Sequence, residues 1–383
     1  MASHKLYLIG FSPYLKYDIP DNVKIVYARS DMFDKLEGNF SKRTIKTPID
    51  VFLSEIKKEI EKHSIAVVTD GDPLFYSIGS IIAENLDEYV EILPNFSFPQ
   101  IVSARLKIPY DKVKVVSIHG RETFDLDDAL QKREKYIAVY TDRYYDPSYI
   151  FKRLNRMEDG AYMAYVFERI GMDDEKTSAY YYPFPEDREF SYPNTVLLKK
   201  ISDDPTYQIK TKGNLFTKYE IRTFVVKELG EGKILFDIGA GSGMVSMDSS
   251  RNFKRIFAIE RDKEYFRILE ENIKGKKLYK IYPIYGEAPK VLMDLPKPDA
   301  VFIGGSGGKL MDILDYLSNL GTIKIVANLV KLENIHQMES FFLKSGFQYT
   351  IYHFSISKME SSKEPKIFRS LNPIYVFSGV LNG

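Results

Sequence analysis

Three alternate glycines follow an apolar run in the second half of this 383-residue chain. The run 234–238 is typical of a buried strand, and Asp237 lies within its end. Gly239, Gly241 and Gly243 come directly after it. Because glycine has no Cβ, such a turn lets the backbone pass close to a bound molecule. The pattern predicts a ligand-binding turn between a strand and a helix that begins near residue 244.

Glu260 ends the next apolar run, about 20 residues after the turn, where an acid meets ribose hydroxyls in α/β folds. A dinucleotide fold uses G-x-G-x-x-G and holds a pyrophosphate at the helix N-terminus. The spacing in this chain is D-x-G-x-G-x-G, which is typical of enzymes that use S-adenosylmethionine (SAM), a ligand without phosphate. We therefore predict a SAM site formed by Asp237, Gly239, Gly241, Gly243 and Glu260. The alternative is a turn that only joins strand to helix.

Two further loops follow predicted strands, at the sheet edge where open α/β folds bind ligands. In the segment 286–289, Glu287 or the backbone at Ala288 could contact adenine, although a helix start at Pro289 explains the segment equally well. The segment 304–308 contains four glycines and one serine. It predicts a floor almost free of side chains for a flat substrate, or else a loose connector. The predicted floor residues are Gly304, Gly305 and Ser306 at the reacting centre and Gly307 in substrate binding.

Asn328 ends the next predicted strand and could orient a substrate carboxylate or amide. A plain turn at the end of the strand explains it equally well. Methyl transfer by in-line displacement depends mainly on alignment and electrostatics, so no protein nucleophile is needed. The chain contains neither Asn-Pro-Pro-Tyr nor Asp-Pro-Pro-Tyr, which weakens any role in methylating an exocyclic base nitrogen.

The composition excludes several classes of protein. The formal net charge is +1 with Lys and Arg spread along the chain, so no basic field indicates nucleic acid or an anionic membrane. The absence of cysteine excludes disulfides, thiolate zinc sites and cysteine nucleophiles, and the five scattered histidines predict no metal site. No apolar run approaches the ~18 residues that span a bilayer, and no signal peptide is evident. We expect a cytoplasmic protein.

The sequence pattern predicts two α/β domains with a boundary near residue 204. Between residues 5 and 200, apolar runs alternate with amphipathic ones, which predicts a largely parallel sheet covered on both faces. Polar turn formers, a proline and a glycine then interrupt the pattern between residues 202 and 214. In the second domain, 205–383, the order of apolar runs predicts a seven-stranded Rossmann-like sheet that ends in a hairpin. Thr217 and Glu220 form a capping box at its first helix, where Lys218 and Arg222 share a face.

The first half has its own marker, Gly71-Asp72-Pro73, directly after a predicted strand. Alone, this tripeptide is a common turn. Four other segments give it more weight: 94–97 and 117–121 follow predicted strands, 168–171 ends a later one, and 193–196 comes near the end of the domain.

With these segments in order, the chain resembles the two-domain precorrin methyltransferases of cobalamin biosynthesis, which methylate carbons 5 and 15 of the corrin precursor and decarboxylate it. Residues 5–200 are similar to the carbon-5 enzymes of the tetrapyrrole methylase family. Residues 213–380 are similar to the carbon-15 decarboxylating enzymes. The segments that carry the resemblance are 71–76, 117–121, 168–171, 216–222, 237–246, 286–289 and 302–308.

The resemblance implies SAM at two separate sites and a tetrapyrrole substrate rich in acetate and propionate groups. It gives Thr217 a role in binding cofactor, and it makes Lys218 and Arg222 partners for substrate carboxylates, with a solvated helix face as the alternative for that pair. Decarboxylation needs no metal if the protein holds the acetate arm out of plane and keeps water away. Separate domains of the family form dimers and tetramers, so a homo-oligomer is expected.

In the first domain the resemblance makes Gly71, Asp72 and Pro73 contacts of the second SAM. It makes His119 and Arg121 contacts of the substrate. The family opens with a G-x-G-P-G loop, which is altered in the segment 10–15 of this chain: the glycines on either side of the proline are lost. The first domain therefore either binds differently or has lost catalysis and kept a structural role.

Two other functions stay open at this point. One is a SAM-dependent methyltransferase that acts on RNA or protein, with the first domain as a non-catalytic recognition module or scaffold. The other is a nucleotide-binding or scaffold protein whose glycine turn does no chemistry.

Overall fold

The computed structural model describes residues 4–46, 48–86, 89–202, 208–211, 219–321, 323–359, 368–370 and 372–381. The chain divides into two compact units, one formed mainly by residues before 203 and the other mainly by residues after it. The division of activities between domains 1–204 and 205–383 remains a prediction. Among the described residues, no helix has the length and apolar character needed to cross a membrane.

The first unit begins with a five-stranded sheet in the order β3-β2-β4-β1-β5, in which every pairing is parallel. Helix α1 buries Phe52, Ile56 and Ile60 against it, side chains whose spacing of four places them on one helix face. The elements are β1 (Leu6–Phe11), β2 (Val23–Ala28), β3 (Ser41–Thr44), α1 (Ile49–Ile60), β4 (Ser64–Asp70), α2 (Ile78–Leu86) and β5 (Val90–Leu93).

A second five-stranded sheet completes this unit, in the order β6-β7-β10-β8-β9. Only β6 and β7 pair in parallel; the other pairings are antiparallel. The elements are α3 (Phe98–Arg105), β6 (Lys114–Ser117), α4 (Phe124–Gln131), β7 (Tyr136–Tyr140), α5 (Pro147–Arg156), β8 (Tyr162–Glu168), β9 (Lys176–Tyr181) and β10 (Asn194–Lys200).

The prediction of a largely parallel sheet is therefore correct for the first sheet and wrong for the second. The physical reason lies in the connections. The segment between β8 and β9 covers only residues 169–175. Parallel neighbours need a crossover of a dozen or more residues, so a connection of this length enforces an antiparallel pair.

The second unit is a seven-stranded sheet in the order β13-β12-β11-β14-β15-β19-β16. Its first five strands are parallel, and β19 runs antiparallel to both of its neighbours. The strands are β11 (Gly232–Ile238), β12 (Phe253–Glu260), β13 (Ile281–Tyr285), β14 (Ala300–Ile303), β15 (Ile323–Leu329), β16 (Gln348–Phe354) and β19 (Ile374–Leu381), with a separate ribbon of β17 (Ser357–Lys358) and β18 (Arg369–Ser370). The helices are α6 (Tyr219–Leu229), α7 (Met244–Ser249), α8 (Lys263–Gly275), α9 (Leu310–Ser318) and α10 (Leu332–Lys344).

Strand β11 lies between β12 and β14, so the strand order reverses beside it. Because these strands are parallel, their carboxyl ends and the loops that follow them meet at one sheet edge. Ligands of open α/β sheets bind at such a switch point. The buried side chains of β11 and β14, such as Phe236 and Val301, hold this edge in place within the core. The predicted α/β class is confirmed in both units.

Candidate active site

The loops after β11, β12, β13 and β14 enclose a cleft of about 350 Å³ in the second unit. Eight of its lining residues are among those predicted from the sequence, so the structure brings most of the predicted site together. These eight are Gly239, Gly241, Glu260, Glu287, Ala288, Gly305, Ser306 and Gly307.

The glycine turn and the segment 304–308 meet backbone against backbone. Gly239 has a positive φ of 74°, and a Cβ at this position would lie 2.6 Å from the Gly305 amide nitrogen. The Gly304 amide donates a hydrogen bond of 2.9 Å to the Ile238 carbonyl oxygen. Such close approach requires glycine at position 239.

Gly241 and Gly305 differ from Gly239 because no part of the described chain packs where their side chains would be. A Cβ at either position would have no heavy atom of the described chain within 4 Å. Both residues line the cleft, so their missing side chains leave open room. The two glycines therefore give a ligand direct access to the backbone.

Glu260 ties the turn to β12. Its Oε2 accepts a hydrogen bond of 2.8 Å from the Gly241 amide, and its Oε1 accepts one of 2.8 Å from the Asp262 amide. The side chain is buried in the wall of the cleft. A carboxylate has further lone pairs for vicinal hydroxyls, so the cleft suits the ribose of a nucleoside.

Asp237 lies beneath the turn and does not line the cleft. Its Oδ2 accepts hydrogen bonds from Ser246, at 3.0 Å from the amide and 2.5 Å from the hydroxyl, which fixes the start of α7. Burial raises the pKa of Asp237 to about 6 against the opposing effect of the Ser246 bonds, and the charge of Glu260 adds to the rise. Its Oδ1 is buried without a partner among the described residues. This geometry makes Asp237 a positioning residue.

Glu287 lines the cleft, but both of its carboxylate oxygens are paired. Lys309 Nζ lies 2.8 Å from one oxygen and Arg261 Nη1 lies 2.9 Å from the other. These two partners, Lys309 first, hold the pKa of Glu287 below its usual value. Arg261 also donates to the Gly307 carbonyl oxygen at 3.2 Å. Instead of offering a free carboxylate to adenine, Glu287 links the loops at the rim of the cleft.

Besides Asp237, four predicted residues of this unit lie outside the cleft lining. Gly243 has a φ of 83° and precedes the first residue of α7, and Gly304 packs against Phe302. Asn328 lies in β15, and its Oδ1 is buried without a partner among the described residues. Arg222 is buried, with its Nε 2.5 Å from Asp248, so its prediction as a free cation for substrate receives no support. Thr217 and Lys218 lie outside the described residues.

Sequence reasoning missed several residues of the cleft. Arg261, Asp262 and Tyr265 line it and follow Glu260 directly along the chain. Asp262 caps α8 by accepting hydrogen bonds of 3.0 Å from the amides of Glu264 and Tyr265. An aspartate just before an amphipathic helix is a recognisable N-cap signal, and it would have placed this loop at the sheet edge. No group of acidic or histidine side chains in the described ranges is arranged to hold a metal.

The first unit contains a cleft of its own, of about 550 Å³, between its two sheets. His119 lines it, with Nδ1 2.9 Å from the Thr141 carbonyl oxygen and its ring stacked on Tyr192. Arg121 does not line it; its guanidinium lies 5.1 Å from the centre of the Tyr76 ring. The other residues of the lining come from the ends of strands in both sheets and from the loops and helix starts beside them: Arg29, Ser30, Met32, Thr44, Ile45, Val68, Thr69, Asp70, Phe75, Tyr76, Ser77, Ile78, Phe98, Tyr140, Thr141, Tyr192, Pro193 and Asn194.

The predicted contacts Gly71, Asp72 and Pro73 do not line this cleft. The Gly71 amide donates to the Phe11 carbonyl oxygen at 2.8 Å, and Asp72 Oδ1 accepts from the Leu74 amide at 2.8 Å. The tripeptide thus forms a turn directly after Asp70, which lines the cleft.

The altered segment after β1 does not obstruct this cleft. Asn95 Nδ2 donates hydrogen bonds to the carbonyl oxygens of Gly10 and Leu15 at 2.7 and 2.8 Å, which holds the segment in place. Phe11 and Tyr14, the bulky residues in it, lie outside the lining of the cleft. The departure from the glycine-rich pattern therefore leaves the cleft of about 550 Å³ open.

A glycine turn, an acid at the end of the neighbouring strand and a side-chain-free loop at the switch point define the second unit as a SAM-type methyltransferase. Residues 209–380 match the family described as the precorrin methyltransferase domain. Residues 22–179 match the tetrapyrrole (corrin/porphyrin) methylases.

Three relatives are each similar to less than half of this chain. A probable cobalt-precorrin-6B C(15)-methyltransferase (decarboxylating) from Sulfurisphaera tokodaii is 30% identical, over 43% of this chain and 88% of the relative. One of the same description from Pyrobaculum calidifontis is 27% identical, over 44% of this chain and 90% of the relative. A solved structure, of a precorrin-6Y C5,15-methyltransferase from Geobacter metallireducens, is 33% identical, over 45% of this chain and 94% of that one, with a TM-score of 0.43.

The chain belongs to the precorrin methyltransferase family. The resemblance predicted from its motifs is confirmed. Enzymes of this family use SAM, and the cleft of the second unit fits that ligand because Gly241 and Gly305 leave room that a Cβ would fill. The match favours the tetrapyrrole function over RNA or protein methylation.

Substituting alanine at Gly239 and at Gly305 distinguishes a glycine required by the fold from one that faces the ligand. Gly239→Ala should lower the free energy of unfolding by roughly 2 to 4 kcal/mol, because it adds a backbone clash to a left-handed φ. Gly305→Ala should leave thermal unfolding unchanged and weaken SAM binding roughly tenfold or more, because its methyl enters the open cleft. Thermal melts of both variants measure their stability, and calorimetric titration with SAM measures their affinity. Equal SAM affinity in Gly305→Ala and wild type would contradict the assignment of the cleft.

The raised pKa of Asp237 predicts a specific dependence of stability on pH. The folded state binds this proton more tightly than the unfolded state, so the contribution is favourable below the unfolded pKa near 4 and is lost as pH rises through about 6. Relative to Asp237→Asn, the free energy of unfolding of the wild type should fall by roughly 2 kcal/mol between pH 4 and pH 7. Denaturant unfolding of the two proteins at both pH values measures the difference. A difference independent of pH would show that the carboxyl has an ordinary pKa.

Proposed function

We propose that this protein is a bifunctional SAM-dependent methyltransferase of cobalamin biosynthesis. It methylates a precorrin-6B-type tetrapyrrole at carbons 5 and 15 and decarboxylates an acetate side chain. The observation that carries the proposal is the tandem match, since each half of the chain matches a corrin methylase family and each has a cleft at the ends of its strands. Domain 205–383 would perform the carbon-15 step with decarboxylation, and domain 1–204 the carbon-5 step.

In the second unit, groups from four residues would hold SAM. These are the backbone at Gly239 and Gly241, the Glu260 carboxylate and the wall at Ala288. Bound SAM supplies an electrophilic methyl group. The chain contributes alignment and exclusion of water, which suffice for an in-line displacement.

Gly305, Ser306 and Gly307 face the same cleft and form its floor. A floor of this kind lets a flat macrocycle lie against backbone amides without a side chain pushing it away. Loss of carbon dioxide from an acetate arm leaves electron density in the conjugated ring, and the reactive carbon then takes a methyl group. The protein favours this by holding the arm out of the ring plane in a site closed to water.

Several properties of the whole molecule belong to the same proposal. Its partner is a tetrapyrrole, with or without cobalt, and a net charge of +1 supports a role without nucleic acid. We propose a homo-oligomer, dimeric or tetrameric, that works in the cytoplasm. For the first unit, His119 in the open cleft supports a catalytic role for that unit.

Incubation with methyl-labelled SAM and a precorrin-6B-type substrate tests the function. Mass spectrometry should show two labelled methyl groups gained and one carbon dioxide lost. Gly305→Val should abolish the carbon-15 methylation and the decarboxylation while the carbon-5 methylation continues, because the substitution fills only the cleft of the second unit. Transfer of label to RNA or protein with no change in the tetrapyrrole would refute the proposal. One methyl gained together with decarboxylation would show that the first unit is not catalytic.

A further inference from the structure

Three charged side chains at the rim of the cleft in the second unit form one connected set of ion pairs. Glu287 lies at its centre, with Arg261 Nη1 at 2.9 Å from one carboxylate oxygen and Lys309 Nζ at 2.8 Å from the other. The hydrogen bond to Glu287 raises the pKa of Lys309, while the pKa of Glu287 is lowered, so both groups keep their charge over a wide range of pH. We call Arg261, Glu287 and Lys309 the rim clasp.

The rim clasp crosses the cleft. Arg261 comes directly after β12, Glu287 comes shortly after β13, and Lys309 lies between β14 and α9. The sheet order is β13-β12-β11-β14, so two strands separate the one that leads to Glu287 from the one that leads to Lys309. Three strand spacings place these two strands roughly 14 Å apart. The pair of Glu287 and Lys309 therefore spans the end of β11, where the glycine turn that lines the cleft begins.

The floor of the cleft has room for one part of the clasp. Gly307 has a positive φ of 62°, and a Cβ at this position would overlap the Arg261 guanidinium. The guanidinium donates a hydrogen bond of 3.2 Å to the Gly307 carbonyl oxygen. Gly305 leaves open room in the cleft, whereas the room beside Gly307 is taken by Arg261. The clasp thus closes directly onto the floor.

Water reaches all three side chains of the clasp. Their exposed fractions are 53% for Arg261, 46% for Lys309 and 37% for Glu287. Exposed ion pairs contribute little to stability and are screened by salt. The rim clasp can therefore open at small cost, while the buried Glu260 keeps the glycine turn fixed.

We infer that the rim clasp closes over the nucleoside end of a bound S-adenosyl ligand and limits how fast that ligand enters and leaves. Its residues adjoin the groups proposed to hold that end, since Arg261 follows Glu260 and Glu287 precedes Ala288. The inference rests on the proposed function, in which the second unit binds SAM. The pairs involve only groups of the chain, so they form with or without a ligand. The clasp therefore slows entry and release alike and leaves the affinity nearly unchanged.

Lys309→Met tests the inference, because Lys309 belongs to the clasp but does not line the cleft. Radiolabelled S-adenosylhomocysteine is bound to the full chain, and its release during a chase with unlabelled ligand is followed by rapid filtration. The phase that is missing in Gly305→Val belongs to the second unit. In Lys309→Met this release should be roughly two- to fivefold faster, as the loss of one exposed ion pair allows. Association should be faster by the same factor, so the dissociation constant should stay close to that of wild type.

Glu287→Gln removes the charge that both cations share, so it should accelerate release and association further than Lys309→Met does. Added salt should accelerate exchange in wild type, because it screens the ion pairs. The same addition should change the rates of Glu287→Gln much less.

Arg267→Met is the matched control. Arg267 forms an exposed ion pair with Glu271 on α8, outside the lining of the cleft. Its loss should leave both rates and their salt dependence at the wild-type values.

Unchanged rates in both Lys309→Met and Glu287→Gln would overturn the inference while the proposed function stands. Faster release with weaker affinity in Lys309→Met would also overturn it, because that result defines a direct ligand contact. A higher KM for the tetrapyrrole at unchanged exchange rates would assign the two cations to substrate carboxylates instead. A wild-type protein without any phase that depends on Gly305 would overturn the proposed SAM site itself.

Discussion

The close contact between two backbone loops determines the active site of the second unit. The turn at Gly239 lies against the backbone at Gly305, so position 239 cannot carry a side chain. Glu260 then fixes the turn from β12 through the Gly241 amide. The cleft follows from these two constraints. Ion pairs of Glu287 with Arg261 and Lys309 join the loops around its rim.

The sequence was sufficient to predict this site because parallel strands bring their carboxyl ends to one edge. Once β11, β12, β13 and β14 are recognised as strands, the loops that follow them must lie together. The glycine spacing then favours a SAM site over a pyrophosphate site, and the acid at residue 260 indicates a ribose. The same order of motifs predicted the family, and the family matches over 22–179 and 209–380 confirm it.

The sequence could not predict which charged side chains form pairs in the folded protein. Their spacing predicts one helix face for Lys218 and Arg222, but spacing could not show that Arg222 is buried against Asp248. The tripeptide after β4 is a recognisable motif that does not line the cleft, whereas Asp70, one residue earlier, does. The second sheet of the first unit was predicted wrongly because strands joined by short connections, such as β8 and β9, pair antiparallel whatever their apolar pattern.

The central claim is that the open faces of Gly241 and Gly305, opposite the Glu260 carboxylate, form the methyl-donor site of the second unit. A crystal structure of the protein with S-adenosylhomocysteine tests it most directly. The account predicts density for the ligand against both glycines, with its sugar hydroxyls within hydrogen-bond distance of Glu260. A structure in which this cleft is empty while the ligand is bound elsewhere in the second unit would contradict the account.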